Sequence, residues 1–280
     1  MAKIVLTGGA GFIGTELVKE LIKQNYDVYV FDKVRGTLPY VKYYPVDITN
    51  NEQLENILKE INPDCIIHLA AALKGTYEEL YTVNVLGTKN IVNAFKGRII
   101  FLSSGMVYQG CKAPFSEEMD VNPKDDYPKT KRIAEELCLQ NNNSAVMRAS
   151  VVYGPEQRGS MFIPDLKEHI RTKNFPFKMT KGEQTRDFIH VTDLVHAVMR
   201  LLEGNQIGIF NIAFGESKSL INVVNLAKEI VGDFAVEHSV PYRNNEMMEY
   251  SFDTTRARTV LNWQPKTDVR TGLAETLTKN

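Results

Sequence analysis

Lys3-Ile4-Val5-Leu6-Thr7-Gly8-Gly9-Ala10-Gly11-Phe12-Ile13-Gly14 decides the fold. It reads as a short apolar strand, a glycine-rich turn and the opening of a helix. Two spacings overlap in the turn: Gly9, Gly11 and Gly14 give G-x-G-x-x-G, and Gly8, Gly11 and Gly14 give G-x-x-G-x-x-G. In either reading glycine allows the tight turn, lets a pyrophosphate approach the backbone, and lets helix and strand pack closely. The helix start then offers free N–H groups and the positive end of its dipole to phosphates. A second strand, Asp27–Phe31, runs into Asp32, whose carboxylate can bond ribose hydroxyls and repels a 2′-phosphate. Lys33 and Arg35 follow at once and could hold such a phosphate. NAD is therefore the first expectation for the cofactor, with NADP as the alternative.

The same alternation continues through the first half. Strands are expected at Lys3–Thr7, Asp27–Phe31, Val41–Pro45, Cys65–Leu69, Arg98–Leu102 and Ala145–Arg148, all rich in Val and Ile or bounded by turn formers. Helices are expected at Phe12–Gln24, Asn51–Lys59, Glu78–Phe95 and Tyr127–Gln140. Strands alternating with helices imply right-handed crossovers, hence an α/β fold with a doubly wound parallel sheet. Past Gly154 the alternation loosens. Helices at Val191–Glu203, with Thr192 as its N-cap, and at Leu220–Val231 flank a short strand, Phe210–Ile212. The expected division is a dinucleotide-binding domain over 1–154 and a smaller C-terminal substrate lobe over 155–280, of which about 185–213 returns to the sheet.

Composition narrows the class. The chain has 280 residues, with Lys plus Arg 33 against Asp plus Glu 34, a formal net charge of −1. That balance supplies no field for nucleic acid or an anionic membrane. No apolar run approaches the ~20 residues that span a bilayer, and the chain start lacks a signal-peptide pattern. Cys65, Cys111 and Cys138 fit neither a disulfide framework nor a zinc site, so no metal is expected. A cytoplasmic location is the expectation.

Tyr127-Pro128-Lys129-Thr130-Lys131 places a tyrosine and a lysine four apart, on one helix face. A phenol titrates near pH 10 and is a poor base at neutral pH. A neighbouring ammonium stabilises the phenolate. Upstream, Ser103-Ser104 ends a strand at the carboxyl edge, where open α/β sheets bind ligands. A serine there can share a proton with Tyr127 and steady a reacting oxygen.

With these motifs the chain resembles the extended short-chain dehydrogenase/reductases, in their nucleotide-sugar epimerase/dehydratase branch. Further stretches carry the resemblance: His68-Leu69-Ala70-Ala71, Asn84-Val85-Leu86-Gly87-Thr88, Arg148 through Val152-Tyr153-Gly154-Pro155, Thr185-Arg186-Asp187-Phe188-Ile189-His190, and Leu261-Asn262-Trp263. The resemblance implies a Rossmann fold and roles residue by residue. Gly8, Gly11 and Gly14, with Phe12 and Ile13 in the turn, would take the pyrophosphate. Asp32 would hold ribose, and Asp47 and Ile48 would flank adenine. Leu69, Ala70, Ala71 and Asn84 would line the cofactor cleft. Ser104, Tyr127 and Lys131 would be catalytic, Lys131 also reaching cofactor ribose and Ser104 and Tyr127 touching substrate. Arg243 would grip the diphosphate of a nucleotide-diphosphate sugar. Arg186 and Asp187 read as an ion pair tying the lobes. A homodimer packed through the helices Glu78–Phe95 and Tyr127–Gln140 is implied as well.

Departures sharpen the reading. The family's 4,6-dehydratases place Asp-Glu directly after the catalytic serine or threonine, whereas Gly105-Met106 stand here, which disfavours a dehydratase. Asn262 occupies a usual glycine position, and Ala72–Tyr81 is a short loop. Hydride transfer at sugar C4 by a nucleotide-sugar 4-epimerase is the leading expectation. A nucleotide 4-keto-6-deoxy-sugar reductase is the alternative, and a non-catalytic NAD(P) sensor the third.

Overall fold

Seven strands form one parallel sheet in the computed structural model, which describes residues 1–39 and 41–279. In chain order the elements are β1 (Lys3–Thr7), α1 (Phe12–Lys23), β2 (Asp27–Asp32), β3 (Lys42–Pro45), α2 (Asn51–Ile61), β4 (Cys65–His68), α3 (Tyr77–Tyr81), α4 (Gly87–Ala94), β5 (Arg98–Ser104), α5 (Asp126–Leu139) and β6 (Ser144–Ala149). Then come β7 (Val151–Tyr153), α6 (Phe162–Thr172), β8 (Phe177–Lys178), β9 (Thr185–His190), α7 (Val191–Glu203), β10 (Gly208–Ile212), β11 (Ser217–Ser219), α8 (Leu220–Val231), β12 (Val236–Glu237), α9 (Thr255–Val260) and α10 (Val269–Thr278). The sheet order is β3-β2-β1-β4-β5-β6-β10. The winding reverses between β1 and β4, so the crevice for a ligand opens at their carboxyl ends.

Each face of the sheet has its own core. Ile4 and Leu6 of β1 pack with Leu17, Val18 and Leu21 of α1 and with α7. Val5 points the other way, to Leu54 and Leu58 of α2, Ile91 of α4 and Ala134 of α5. A strand buried on both sides has no polar alternation, which is why β1 reads as a continuous apolar run. Each fully buried aliphatic side chain there contributes about 2 kcal/mol.

The expected helix over Glu78–Phe95 runs unbroken from Tyr77 to Ala94, with a π-helical turn inside it. Thr76 and Glu79 form a reciprocal capping box that starts α3. A π-helical turn, Thr82–Leu86, follows, and α4 begins at Gly87. Such a turn turns an additional side chain inward, and Asn84 within it is buried.

The C-terminal half builds a second core around Tyr153, Phe177, Phe188, Val223 and Leu273. Of the 185–213 stretch expected to return to the main sheet, α7 lies beside α1 and β10 extends the sheet past β6. β9 departs from that expectation, because it pairs with β7 and β11 in a separate three-stranded sheet. Thr192 is not the N-cap of α7. The helix starts at Val191, His190 is the capping residue, and Thr192 Oγ1 meets His190 Nδ1 at 2.8 Å. Asn262 adopts a left-handed φ of 47°, a conformation glycine takes freely and asparagine tolerates.

Candidate active site

The glycine turn is a cradle with no room for side chains. Gly8 has φ +71°, and a Cβ on it would lie 2.7 Å from Ala70 N. A Cβ on Gly14 would lie 2.5 Å from Gly8 O and from Gly9 Cα. The turn thus rests on Leu69 and Ala70 at the end of β4, across the crevice. Gly11 caps α1 without a side-chain hydrogen bond, so the first-turn N–H groups face the crevice for an anion to meet. Asp32 closes the other side, its carboxylate accepting from Ala10 N at 3.0 Å and Val34 N at 3.2 Å. Asp47 accepts from Thr49 N and Thr49 Oγ1 and pairs with Lys33 Nζ at 2.8 Å. That pairing occupies a cation that could otherwise hold a 2′-phosphate. Ile48 is buried against the Gly87 backbone at the start of α4. Phe12 lies against Gly154. These residues suit a dinucleotide pyrophosphate and its adenosine ribose.

Ser104, Tyr127 and Lys131 meet at the same edge. Ser104 ends β5 half-buried, and its Oγ accepts from Met106 N at 3.2 Å. Burial pushes the Tyr127 phenol up to about 12, opposed by the nearby Ser104 hydroxyl. Lys131, one turn further along α5, is only 2% exposed. Its ammonium donates to Leu102 O at 2.8 Å and stands 4.1 Å from the centre of the Phe101 ring. Burial pushes it down to about 8, opposed by the carboxylate of Glu135.

Beneath this trio lies a buried polar cluster whose pairing the sequence did not show. Glu135, four residues after Lys131, accepts from Ser103 Oγ and makes a two-pronged ion pair with Arg148, Nη2 to Oε2 at 2.8 Å. The Arg148 guanidinium stacks 4.8 Å from the Tyr108 ring centre, and Tyr108 donates to Asn211 at 2.7 Å. The cluster bolts α5 to β5 and β6.

His68 and Asn84 brace the crevice rather than face it openly. Thr88 Oγ1 donates to Asn84 O at 2.6 Å, so it accepts from His68 Nε2 at 2.9 Å. Thr7 Oγ1 accepts from Ala70 N at 3.3 Å and bonds His68 Nδ1 at 2.7 Å. Burial keeps the ring neutral, and with its hydrogen on Nε2 the ring accepts from Thr7 Oγ1 at Nδ1, which satisfies all four bonds. The Asn84 amide spans Ala72, accepting from its N at 2.8 Å and donating to its O at 2.9 Å, and also donates to Thr130 Oγ1 at 3.0 Å. Thr130 Oγ1 in turn bonds Tyr127 O. The Asn84 amide, at the position expected among the cofactor contacts, holds Ala72 and the first turn of α5.

His68 carries a pH consequence. Burial pushes it down to about 3, helped by the nearby Lys131 charge. The unfolded chain takes a proton there near pH 6.5, the folded chain only near pH 3, so its contribution to stability is lost as pH falls through that window. Buried Asp187 works in the opposite sense, since its carboxyl is raised to about 6 and its burial cost is relieved on acidification. The His68 part is read as the stability gap between the protein and His68→Gln in denaturant titrations. That gap is expected to narrow by about 2 kcal/mol from pH 7.5 to pH 5. A gap constant with pH contradicts it.

On the substrate side, Arg243 is exposed on the loop after β12. The expected Arg186–Asp187 ion pair does not form. Adjacent residues of a strand face opposite sides. Arg186 reaches Glu246 and donates to Met247 O at 2.7 Å, while Asp187 accepts from Phe214 N at 2.8 Å and Gly215 N at 2.7 Å. Tyr250 is a site residue that sequence reasoning missed. A Cβ on Gly105 would come within 2.4 Å of its hydroxyl oxygen and of Phe252 Cζ. The phenol therefore sits one residue from Ser104, and burial lifts it well above the ordinary tyrosine range. It carries no motif, only a position seven residues past Arg243.

A glycine cradle at the switch point with a Ser–Tyr–Lys set on the same edge defines an enzyme of the extended short-chain dehydrogenase/reductase class. The family model described as NAD dependent epimerase/dehydratase family matches residues 4–213, and the chain belongs to that family. It is 27% identical to a UDP-glucuronate 4-epimerase of Thermodesulfobacterium geofontis, over 99% of this chain and 95% of that one. It is 29% identical to UDP-glucuronic acid decarboxylase 1 of Arabidopsis thaliana, over 97% of this chain and 68% of the relative. Among solved structures it is similar to MoeE5 in complex with UDP-glucuronic acid and NAD, with a TM-score of 0.91, 29% identity, and coverage of 99% and 98%. Among the described residues no helix is long and apolar enough to cross a membrane, and no group of side chains is arranged to hold a metal ion.

Proposed function

We propose that this protein is an NAD-dependent 4-epimerase of a UDP-activated hexose or hexuronic acid. What carries the reading is Ser104 at the end of β5 together with Tyr127 and Lys131 on the opening turns of α5, with Gly105-Met106 following the serine. The phenolate of Tyr127 takes the proton from the sugar 4-hydroxyl. Ser104 holds that oxygen and keeps it aimed at Tyr127. Lys131, charged and buried beside them, favours the phenolate. NAD, held by the Gly8–Gly14 turn and Asp32, would supply the acceptor and then the donor of the C4 hydride. Tyr127 then returns the proton to the oxygen. Arg243 supplies positive charge for the substrate diphosphate.

Elimination of water from C5 and C6 needs an acid and a base beside the serine. Gly105 and Met106 provide neither, and the packing of Tyr250 and Phe252 on Gly105 leaves no space for a side chain there. A 4-keto-sugar reductase would use the same residues for the return half alone. A homodimer closing over α4 and α5, near exposed Leu86, belongs to the same reading. The test is inversion at C4 with the C4 hydrogen retained.

A further inference from the structure

Asp125 is the N-cap of α5, two residues before Tyr127. An aspartate there ordinarily accepts from the backbone N–H of the second or third helical residue. Here the third is Pro128, which has no N–H, and the Asp125 carboxylate makes no bond to its own helix. Both of its oxygens turn outward to side chains. Oδ2 accepts from Gln109 Nε2 at 2.7 Å, and Oδ1 accepts from Asn245 Nδ2 at 2.9 Å.

The two partners come from the other two parts of the site. Gln109 follows the turn after Ser104, is 5% exposed, and its N donates to Met106 O at 3.0 Å. Its Oε1 accepts from Lys124 N at 2.8 Å and Asp125 N at 2.9 Å, so the whole amide is spent on the approach to Tyr127. Asn245 lies two residues past Arg243 and beside Glu246, whose carboxylate is held by Arg186. From Glu246 to Tyr250 the loop is fastened to β9, by Arg186 to Met247 O, by Thr185 N to Met248 O, and by Asp187 N to Tyr250 O. The stretch bearing Arg243 is joined to α5 through Asn245 and Asp125.

We infer that Asp125 is a positioning residue that sets Tyr127 against Ser104 through Gln109 and seats the Arg243 loop on the catalytic helix through Asn245. The inference rests on the epimerase reading above. It assigns different kinetic consequences to the two arms. Losing the Gln109 arm loosens the phenol relative to the reacting oxygen and lowers kcat. Losing the Asn245 arm loosens only the loop over the diphosphate and raises KM.

The experiment is steady-state epimerisation by Gln109→Ala, Asn245→Ala, Asp125→Ala, the two double variants that add either change to Asp125→Ala, and Asp125→Asn. Gln109→Ala is expected to lower kcat about tenfold or more, since small misplacements of reacting groups are costly. Asn245→Ala is expected to raise KM by about tenfold with kcat within about twofold. Asp125→Ala shows both effects, and adding either partner change to it costs little more. Asp125→Asn recovers most of both, because its amide oxygen still serves Gln109 while its N–H groups meet the Asn245 amide turned over. Strictly additive double variants, or an Asp125→Ala enzyme with unchanged kcat and KM, overturn the inference. A wild-type protein that inverts no UDP-sugar overturns the epimerase reading instead.

Discussion

Tyr127→Phe is expected to lower kcat by about 10³-fold while KM changes by less than about threefold, because one positioned proton donor or acceptor supplies 10²–10⁴ in rate. The change removes a single oxygen. The ring keeps its place on the first turn of α5, and Thr130 still bonds the Tyr127 backbone carbonyl, so the helix is not disturbed. Steady-state rates at saturating UDP-sugar give the result. On the epimerase reading the reacting form is the Tyr127 phenolate, and burial pushes the phenol up to about 12, so the wild-type rate should rise with pH from the acid side. Tyr127→Phe should lose that rise along with the rate. A variant within a factor of two of wild type would remove Tyr127 from the mechanism.

Glu135→Ala is expected to be the most damaging change for stability, at about 3–5 kcal/mol. Glu135 is fully buried and Arg148 is 1% exposed. Removing the carboxylate strands a guanidinium inside the sheet–helix interface, where its Nη1 already lacks a partner. It also frees Ser103 Oγ. The melting temperature should fall by about 10 °C for a chain of this size, followed by circular dichroism. Removing both charges tells burial of a charge from loss of packing. Glu135→Leu combined with Arg148→Met should regain much of the loss, since an apolar pair of similar volume has no charge to desolvate. A double variant as unstable as Glu135→Ala would show that the bolt between α5, β5 and β6 acts through shape and hydrogen bonding instead.

What the sequence disclosed and what it withheld follow from the range of the interactions. The glycine turn was legible because its requirements are local: Gly8 needs a left-handed φ and Gly14 needs the absence of a Cβ within a few residues of one another. The strands of the sheet were legible because burial on both faces leaves an unbroken apolar run. Tyr127 and Lys131 were legible because helical spacing alone brings them to one face. The π-helical turn around Asn84 was not, since Thr82–Leu86 keeps the apolar spacing of the helix on either side and no composition distinguishes one extra residue in a turn. The Glu135–Arg148 pair joins residues 13 apart on different elements, and the Asp125–Asn245 bond joins residues 120 apart; neither has a periodicity to reveal it. The Arg186–Asp187 pairing failed on elementary grounds, because neighbours on a strand point apart.

The most direct test of the central claim is the fate of the C4 hydrogen. UDP-glucose and UDP-glucuronic acid, each carrying deuterium at C4, are incubated with the protein and NAD, and the products are read by proton NMR and mass spectrometry. The expected product is the C4 epimer of at least one of them with the deuterium still on C4, since the hydride leaves and returns within one closed site. Deuterium moved to C6 with loss of water, or a C4-labelled sugar recovered unchanged in both cases, would contradict it.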